Sequence, residues 1–144
     1  IFKSGKITLA NQSLNISNKI KLDLENITDM IKNSDSEIIS IKNIVSFSSM
    51  NPKKVKELIY LLNIQGKIMQ INDNMVMNDD AYNRLLTLTQ KHFEKNKTLS
   101  ISEFKNLSNL TRKNAIPILE FFDNINITIR HGNNRKAGES IFVK

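Results

Sequence analysis

The sequence predicts an α+β fold, mainly α-helical with small β-hairpins, arranged as two similar units in tandem. Apolar residues recur at helical spacing over most of the chain, and pairs of short strand-like segments follow two of the helices. The pattern of the first half returns in the second half at an offset of about sixty residues. With 144 residues, the chain can form one ordinary domain or two very small ones.

The composition argues against several classes of function. Hydrophobic residues make up 40% and charged residues 24%, as in globular proteins. The chain has no cysteine and only two widely separated histidines, which excludes thiolate metal sites and argues against a zinc enzyme. Neither a nucleotide-binding glycine motif, a run of ~18 apolar residues nor a signal-peptide pattern occurs. Because the chain begins at Ile1 rather than Met, we interpret it as a fragment of a larger protein.

The first complete unit is predicted over residues 18–78. Residues 1–17 precede it and are expected to form a strand and an extended linker at the end of a preceding unit. The unit opens with a helix over 18–32, whose apolar positions have helical spacing. A short apolar run at 38–41 and a short helix over 41–47 follow.

The clearest helix start in the chain lies at Asn51, a good N-cap residue, with Pro52 at the first helical position. Gly66 is predicted to end this helix, and two strands at 68–71 and 75–77 form a hairpin after it. One apolar stripe marks the face of the helix that enters the core: Val55, Leu58, Ile59 and Leu62.

The second unit is predicted over residues 79–144 and repeats this order. A long helix runs to about Glu94, residues 98–101 are extended, and Ser102 opens a short helix. Thr111 then caps a helix whose apolar stripe matches that of the first unit: Ala115, Ile118, Leu119 and Phe122.

The last helix contains a proline, and the hairpin that follows it is predicted to have a long loop. Pro117 lies inside the helix, so either the helix is kinked or its regular part begins late. The hairpin strands are predicted at 127–130 and 141–143, joined by a long loop over 131–138. Helix, turn, helix and hairpin in this order describe a winged helix, and the sequence therefore predicts two winged-helix units in tandem.

The charge distribution favours a polyanionic partner. Lysine and arginine total 21 against 14 acidic residues, a net charge of +7. In a helix-turn-helix unit, the third helix and the wing face nucleic acid, and three of the four arginines of this chain fall in those segments of the second unit. The candidate RNA-binding residues are Thr111, Arg112, Lys113, Asn114, Arg130, His131, Gly132, Asn133, Asn134, Arg135 and Lys136.

Within this set we expect different roles for different arginines. Arginine suits both bidentate phosphate contacts and stacking on an exposed base. We expect Arg112 to contact a loop base and Arg135 to contact phosphate, both from the protein surface. The alternative is a solvated basic face without a partner. Lys53, Lys54 and Lys56 form a weaker candidate at the same place in the first unit, where no arginine accompanies them.

The second unit also resembles a known family. The run RKNAIPILEFFD at 112–123, followed by ITIRHGNNR at 127–135, resembles the last winged-helix unit of SelB, the bacterial selenocysteine-specific elongation factor family. That family reads approximately R-K-Y-A-I-P-L-L-E-Y-F-D and then V-T-x-R-x-G-D-x-R. Residues 19–98 resemble it only in layout and in the ending LNIQGKI at 62–68. Asn114 replaces an aromatic residue of the family, Asn133 replaces an acid, and 136–140 lengthen the wing.

The resemblance implies both a function and partners. SelB-like factors join a GTPase region, which binds selenocysteyl-tRNA, to four winged helices, the last of which binds the SECIS hairpin of the mRNA. This chain would be the final two units, a monomeric, cytoplasmic mRNA-hairpin-binding module without GTPase, cofactor, metal or membrane contact. The ribosome and selenocysteyl-tRNA would be partners of the full-length factor. By position, Arg112, Lys113, Arg130, Gly132 and Arg135 would lie at the hairpin-binding surface.

Two other classes of function stay open. A winged-helix DNA-binding transcriptional regulator normally has one DNA-binding unit per subunit and a dimerisation helix, whereas this chain has two dissimilar units. A protein-interaction module would leave the arginine cluster unexplained. The fold alone does not distinguish these classes.

Overall fold

The computed structural model describes the backbone of residues 3–142 and the side chains of residues 18–142. The elements in chain order are α1 (Lys3–Lys32), β1 (Ile38–Ser40), α2 (Ile41–Ser48), α3 (Pro52–Ile64), β2 (Ile68–Gln70), β3 (Met75–Asn78), α4 (Asp79–Lys95), β4 (Leu99–Ser100), α5 (Ile101–Ser108), α6 (Arg112–Asn124), β5 (Thr128–His131) and β6 (Asn134–Ala137). The predicted α+β class is confirmed, and the order of helix, strand, helix, turn, helix and hairpin occurs twice. Within the described residues, no helix has the length and apolar character needed to cross a membrane.

The repeat extends to details of the backbone. Helices α3 and α6 have 13 residues each. Helices α2 and α5 both end on a residue in the left-handed conformation, Ser49 and Asn109. Each unit has a three-stranded antiparallel sheet, ordered β1-β3-β2 and β4-β6-β5. The short extended segments before α2 and α5 thus become the third strands of the two sheets.

The apolar stripes of α3 and α6 both lie in the interior, as predicted. The first core contains Ile27, Ile31, Ile39, Ile41, Ile44, Val55, Leu58, Ile59, Leu62, Ile68 and Val76. The second core contains Ile38, Ile71, Met77, Ala81, Leu85, Leu99, Phe104, Leu110, Ala115, Ile118, Leu119, Phe122, Ile127 and Ile141. The second core therefore includes three residues of the first unit.

This sharing follows from the alternation of side chains along the strands of the first sheet. Ile39 pairs with Val76, and both belong to the first core. Their neighbours Ile38 and Met77 also pair with each other, and both belong to the second core. The first sheet is therefore covered on one face by its own helices and on the other by the second unit.

The prediction of a strand and an extended linker over residues 1–17 is wrong for residues 3–17, and residues 1 and 2 lie outside the described residues. The chain is helical from Lys3, and α1 continues without interruption to Lys32. Neither of the two sheets takes a strand from residues 3–17. A strand needs a hydrogen-bonding partner, whereas a helix satisfies its own backbone, and Gly5 costs a helix only about 1 kcal/mol relative to alanine.

The start of α5 also differs from the prediction, because its N-cap is Ser100 and not Ser102. The Ser100 Oγ accepts a hydrogen bond from the Glu103 backbone N–H at 3.1 Å, and Glu103 Oε1 accepts from the Ser100 N–H at 2.9 Å. This is a capping box, whose S-x-x-E spacing places the cap three residues before the glutamate. In α6, the helix continues through Pro117, and Ala115 N–H already donates to the Thr111 carbonyl at 2.8 Å. The regular part of α6 therefore does not begin late.

The wing is shorter than predicted. Its second strand is Asn134–Ala137, so a turn at Gly132 and Asn133 replaces the long loop. Gly132 has φ +67°, the left-handed conformation that a tight turn uses and glycine adopts without strain. The predicted strand over 141–143 is wrong for Ile141 and Phe142, which lie in a turn, and Val143 lies outside the described residues. Ile141 is buried in the second core, and this burial explains an apolar residue at a position that pairs in no sheet.

Candidate nucleic-acid interface

The N-terminal end of α6 presents positive charge to solvent. Thr111, Arg112 and Lys113 are exposed, and Asn114 is half-buried. The first turn contains no acidic residue, and the Thr111 side chain makes no capping hydrogen bond. Positive side chains are disfavoured at this end of a helix, where the backbone N–H groups carry partial positive charge. A bound anion would be attracted by the positive side chains and would accept hydrogen bonds from the backbone N–H groups.

The wing supplies further exposed polar groups. On it, Arg130, His131, Gly132, Asn133, Asn134 and Lys136 are all exposed. Arg130 folds over the turn, and its Nε donates to the Gly132 carbonyl at 3.2 Å. Together the start of α6 and the wing expose four cationic side chains, Arg112, Lys113, Arg130 and Lys136, and we call these four the basic set. No acidic residue occurs in either segment, 111–114 or 130–136.

Arg135 does not belong to this surface, and the prediction that it lies exposed is wrong. Its side chain is only 2% exposed. Its Nη2 donates to Asp123 Oδ2 at 3.2 Å, and Asp123 Oδ1 accepts from the Thr128 hydroxyl at 2.6 Å. The carboxylate near the end of α6 thus holds both strands of the wing.

The physical reason lies in the alternation of side chains along β6. Asn134 and Lys136 point to solvent, so Arg135 between them points inward. It lies opposite Leu99 of β4, which is fully buried. A buried cation needs a paired anion, and Asp123 provides it. The acid at position 123 was visible in the sequence, but its pairing with position 135 depends on where the second wing strand lies.

The corresponding end of α3 in the first unit is less suited to an anion. Asn51 caps the helix, and its Oδ1 accepts from the Lys53 N–H at 2.8 Å. Lys54 pairs with Asp23 at 2.8 Å. The hairpin turn of this unit carries an acidic residue, Asp73, where the wing of the second unit has none. The two units therefore share a fold and differ in their surface electrostatics.

Comparison with known proteins finds a family similarity in the second unit. A family model described as the winged helix of elongation factor SelB matches residues 91–137. The second unit is thus similar to the winged helix of elongation factor SelB. The matched residues include most of the SelB-type unit from the end of α4 to the end of the wing, and so include the whole basic set.

One relative and two solved structures are similar to larger parts of the chain. The selenocysteine-specific elongation factor of Desulfomicrobium baculatum is 29% identical over 89 residues, which are 62% of this chain. Those residues make up 14% of that protein, so the chain spans only a small part of its relative. The mRNA-binding domain of SelB from E. coli, solved in complex with SECIS RNA, superposes with a TM-score of 0.69 at 19% identity, over 81% of this chain and 98% of that one.

A second solved structure, the bacterial selenocysteine-specific elongation factor EF-Sec, has a TM-score of 0.62 at 24% identity. The match covers 85% of this chain and 19% of that one. At these identities the two solved structures establish the fold. Both matches cover far more than one SelB-type unit, and the prediction of two winged helices in tandem is confirmed.

Proposed function

We propose that this chain is the RNA-binding part of a selenocysteine-specific elongation factor and binds the SECIS hairpin of an mRNA through its second unit. The observation that carries the proposal is the basic set, which lies on the third helix and the wing of a SelB-type unit, in two segments, 111–114 and 130–136, that contain no acidic residue. The similarity to a protein that was solved with SECIS RNA supports the same ligand.

The geometry suits a hairpin better than a continuous duplex. The major groove of A-form RNA is deep and narrow, so a helix cannot read base edges there. Recognition then depends on phosphates and on unpaired loop bases. We assign Arg112 and Lys113, at the start of α6, to the loop, and Arg130 and Lys136, on the wing, to the phosphates beside it. The contribution of Arg135 is indirect, because its charge is already paired with Asp123.

In the full-length factor, this binding would act as a tether. Holding the factor on one mRNA hairpin raises the local concentration of its selenocysteyl-tRNA at a nearby UGA codon. The chain itself would contribute binding and no catalysis, and would need no cofactor. The GTPase, the tRNA and the ribosome would belong to the rest of the factor in the cytoplasm.

Binding isotherms at several salt concentrations test this function. The panel contains SECIS-type hairpins that differ in the loop, linear RNAs of the same composition and duplex DNA. We expect the chain to prefer one hairpin over its linear counterpart and over DNA. Equal or tighter binding to duplex DNA would favour the transcriptional regulator instead.

Variants of the basic set make the test specific. Arg112→Ala and Arg130→Ala should each weaken hairpin binding by roughly ten- to a hundredfold, since each removes a charge-assisted hydrogen bond. The control is Lys91→Ala, which removes one exposed positive charge from α4, outside both segments. An equal loss in the control would mean that only net charge matters, and unchanged binding in both arginine variants would contradict the site.

A further inference from the structure

A cleft of about 550 Å³ lies beside the start of α6, between the two units. Lys113 and Asn114 line it from the second unit, and Asp35, Asn43, Phe47 and Asn74 line it from the first. Its volume is within the range of ~300–1,000 Å³ that small-ligand clefts occupy. The cleft is continuous with the basic set, because Lys113 belongs to both.

Phe47 is the unusual residue of this cleft. It lies in the last turn of α2, and 67% of its side chain is exposed. The equivalent residue of the second unit is Leu107, which is smaller and less exposed at 38%. An exposed aromatic ring is common at protein surfaces, but here it faces a cleft that shares residues with a nucleic-acid site. Such rings are the platforms on which unpaired bases stack.

The polar groups of the cleft are complementary to the edge of a base. Asn43, Asn74 and Asn114 each carry a side-chain amide, which offers both a donor and an acceptor. The Asn74 Oδ1 accepts from the Lys42 backbone N–H at 3.4 Å. Asn43, which is exposed, and Asn114, which is half-buried, both line the cleft, and so their side-chain amides are accessible to a ligand.

The charges of the cleft favour a base over a phosphate. Its lining contains one cation, Lys113, and one anion, Asp35. A phosphate would gain the attraction of the lysine and suffer the repulsion of the carboxylate, whereas a neutral base meets no net charge. The phosphates are better placed at Arg130 and Lys136 on the wing, where no acid lies beside them in the sequence.

We propose that this cleft receives one unpaired base of the bound RNA, which stacks on Phe47 and is read by the side-chain amides of Asn43 and Asn114. The proposal rests on the proposed function and extends it, since the first unit then takes part in base recognition although it contributes no arginine. It also gives the tandem arrangement a use in binding, because neither unit forms the cleft alone.

Abasic substitution combined with mutation of Phe47 tests the proposal. In the best-bound hairpin, each loop nucleotide is replaced in turn by an abasic one, and affinities are measured for the wild-type chain and for Phe47→Ala. At one position, the abasic change should weaken wild-type binding by about 5- to 150-fold and should have little further effect on Phe47→Ala. Phe47→Tyr should restore the sensitivity, since it keeps the aromatic face.

Two further variants separate stacking from general effects. Tyr60→Ala removes another highly exposed aromatic residue, 63% exposed, which does not line the cleft, and it should leave all affinities unchanged. Asn43→Ala should reduce discrimination among the four bases at the sensitive position. Thermal unfolding of each variant should match the wild type, because these side chains are exposed.

The failure of this proposal differs from the failure of the proposed function. If the wild-type chain binds hairpins selectively and no loop position shows coupling to Phe47, the cleft is not a base site and only the present proposal is overturned. If the wild-type chain shows no preference for any hairpin, both proposals are overturned.

Discussion

At the scale of single residues, burial separates Arg135 from the other cationic residues near the wing. Arg130 and Lys136 are free to meet a ligand, whereas Arg135 is enclosed and paired with Asp123. Removing one partner of a buried pair leaves the other charge without compensation, which is costly. Arg135 is therefore a positioning residue that fixes the wing to the end of α6, and under the proposed function it would act on RNA binding only through the wing.

Arg135→Ala should lower the free energy of unfolding by about 2–4 kcal/mol, because Asp123 loses its partner and buried aliphatic contacts disappear. Lys136→Ala, the exposed neighbour, should change it by no more than about 0.5 kcal/mol. Urea denaturation measures both. For any hairpin that the chain binds, the dependence of log affinity on log salt concentration should become less steep for Lys136→Ala and stay the same for Arg135→Ala. If Arg135→Ala is as stable as the wild type and its hairpin affinity depends less steeply on salt, Arg135 contacts RNA directly from the surface and this assignment is wrong.

At the scale of the elements, the two short helices α2 and α5 are capped by equivalent serines with different partners. Ser40 Oγ accepts from the Asn43 N–H at 3.1 Å, and Ser100 Oγ accepts from the Glu103 N–H at the same distance. Only the second cap includes a titratable group. Two hydrogen bonds with Ser100 lower the pKa of Glu103 below its usual value of 4.5. The bond from the Ser100 backbone N–H has the larger effect, and the bond with the Ser100 side chain has the smaller one.

The Glu103 cap should make stability depend on pH below about 5. A carboxyl group whose pKa is lower in the folded state than in the unfolded state stabilises the fold. Its contribution is complete at pH values above the unfolded pKa and disappears as the pH falls through the folded pKa. Glu103→Gln keeps an acceptor for the cap but does not titrate, so its unfolding free energy should fall less steeply on acidification than that of the wild type. Asn43→Ala, at the same position of α2, should leave the slope unchanged. Parallel acid profiles for wild type and Glu103→Gln would contradict this assignment.

At the scale of the whole molecule, the first sheet joins the two units. Val76 and Met77 are adjacent and both fully buried, yet they belong to different cores. The ion pair between Glu37 and Arg84, at 3.8 Å, also crosses between the units but is partly exposed and contributes little. The apolar contact of the sheet is therefore the main connection, and it also holds the walls of the cleft together.

Mutations of these two neighbours should distinguish the cores. Met77→Ala should cost about 2–5 kcal/mol, as is usual for a buried methionine, and should destabilise the second unit although the residue belongs to the first. Val76→Ala should act mainly on the first core. Amide hydrogen exchange resolves the effect: Met77→Ala should accelerate exchange in α6, and Val76→Ala should accelerate it in α3. If both variants affect only the first unit, the units do not share a core.

The sequence by itself determined the two-unit repeat, the winged-helix order and the faces of α3 and α6. These properties depend on spacing within one helix or one hairpin, and the buried stripe from Val55 to Leu62 could be recognised without knowing its neighbours. The N-cap positions Asn51 and Thr111 were equally local. The RNA contacts of the candidate site residues remain a prediction from position and charge.

Only the tertiary structure decided which residues meet across the chain. The second strand of the wing is polar and is recognised by its pairing with β4 and β5, and this pairing turns Arg135 inward onto Asp123. In the same way, Phe47 and Asn114 come from separate units and meet at one cleft because the first sheet packs against the second unit. Local periodicity indicates which face of a helix or strand is apolar. The residues that this face contacts depend on the long-range packing of the whole chain.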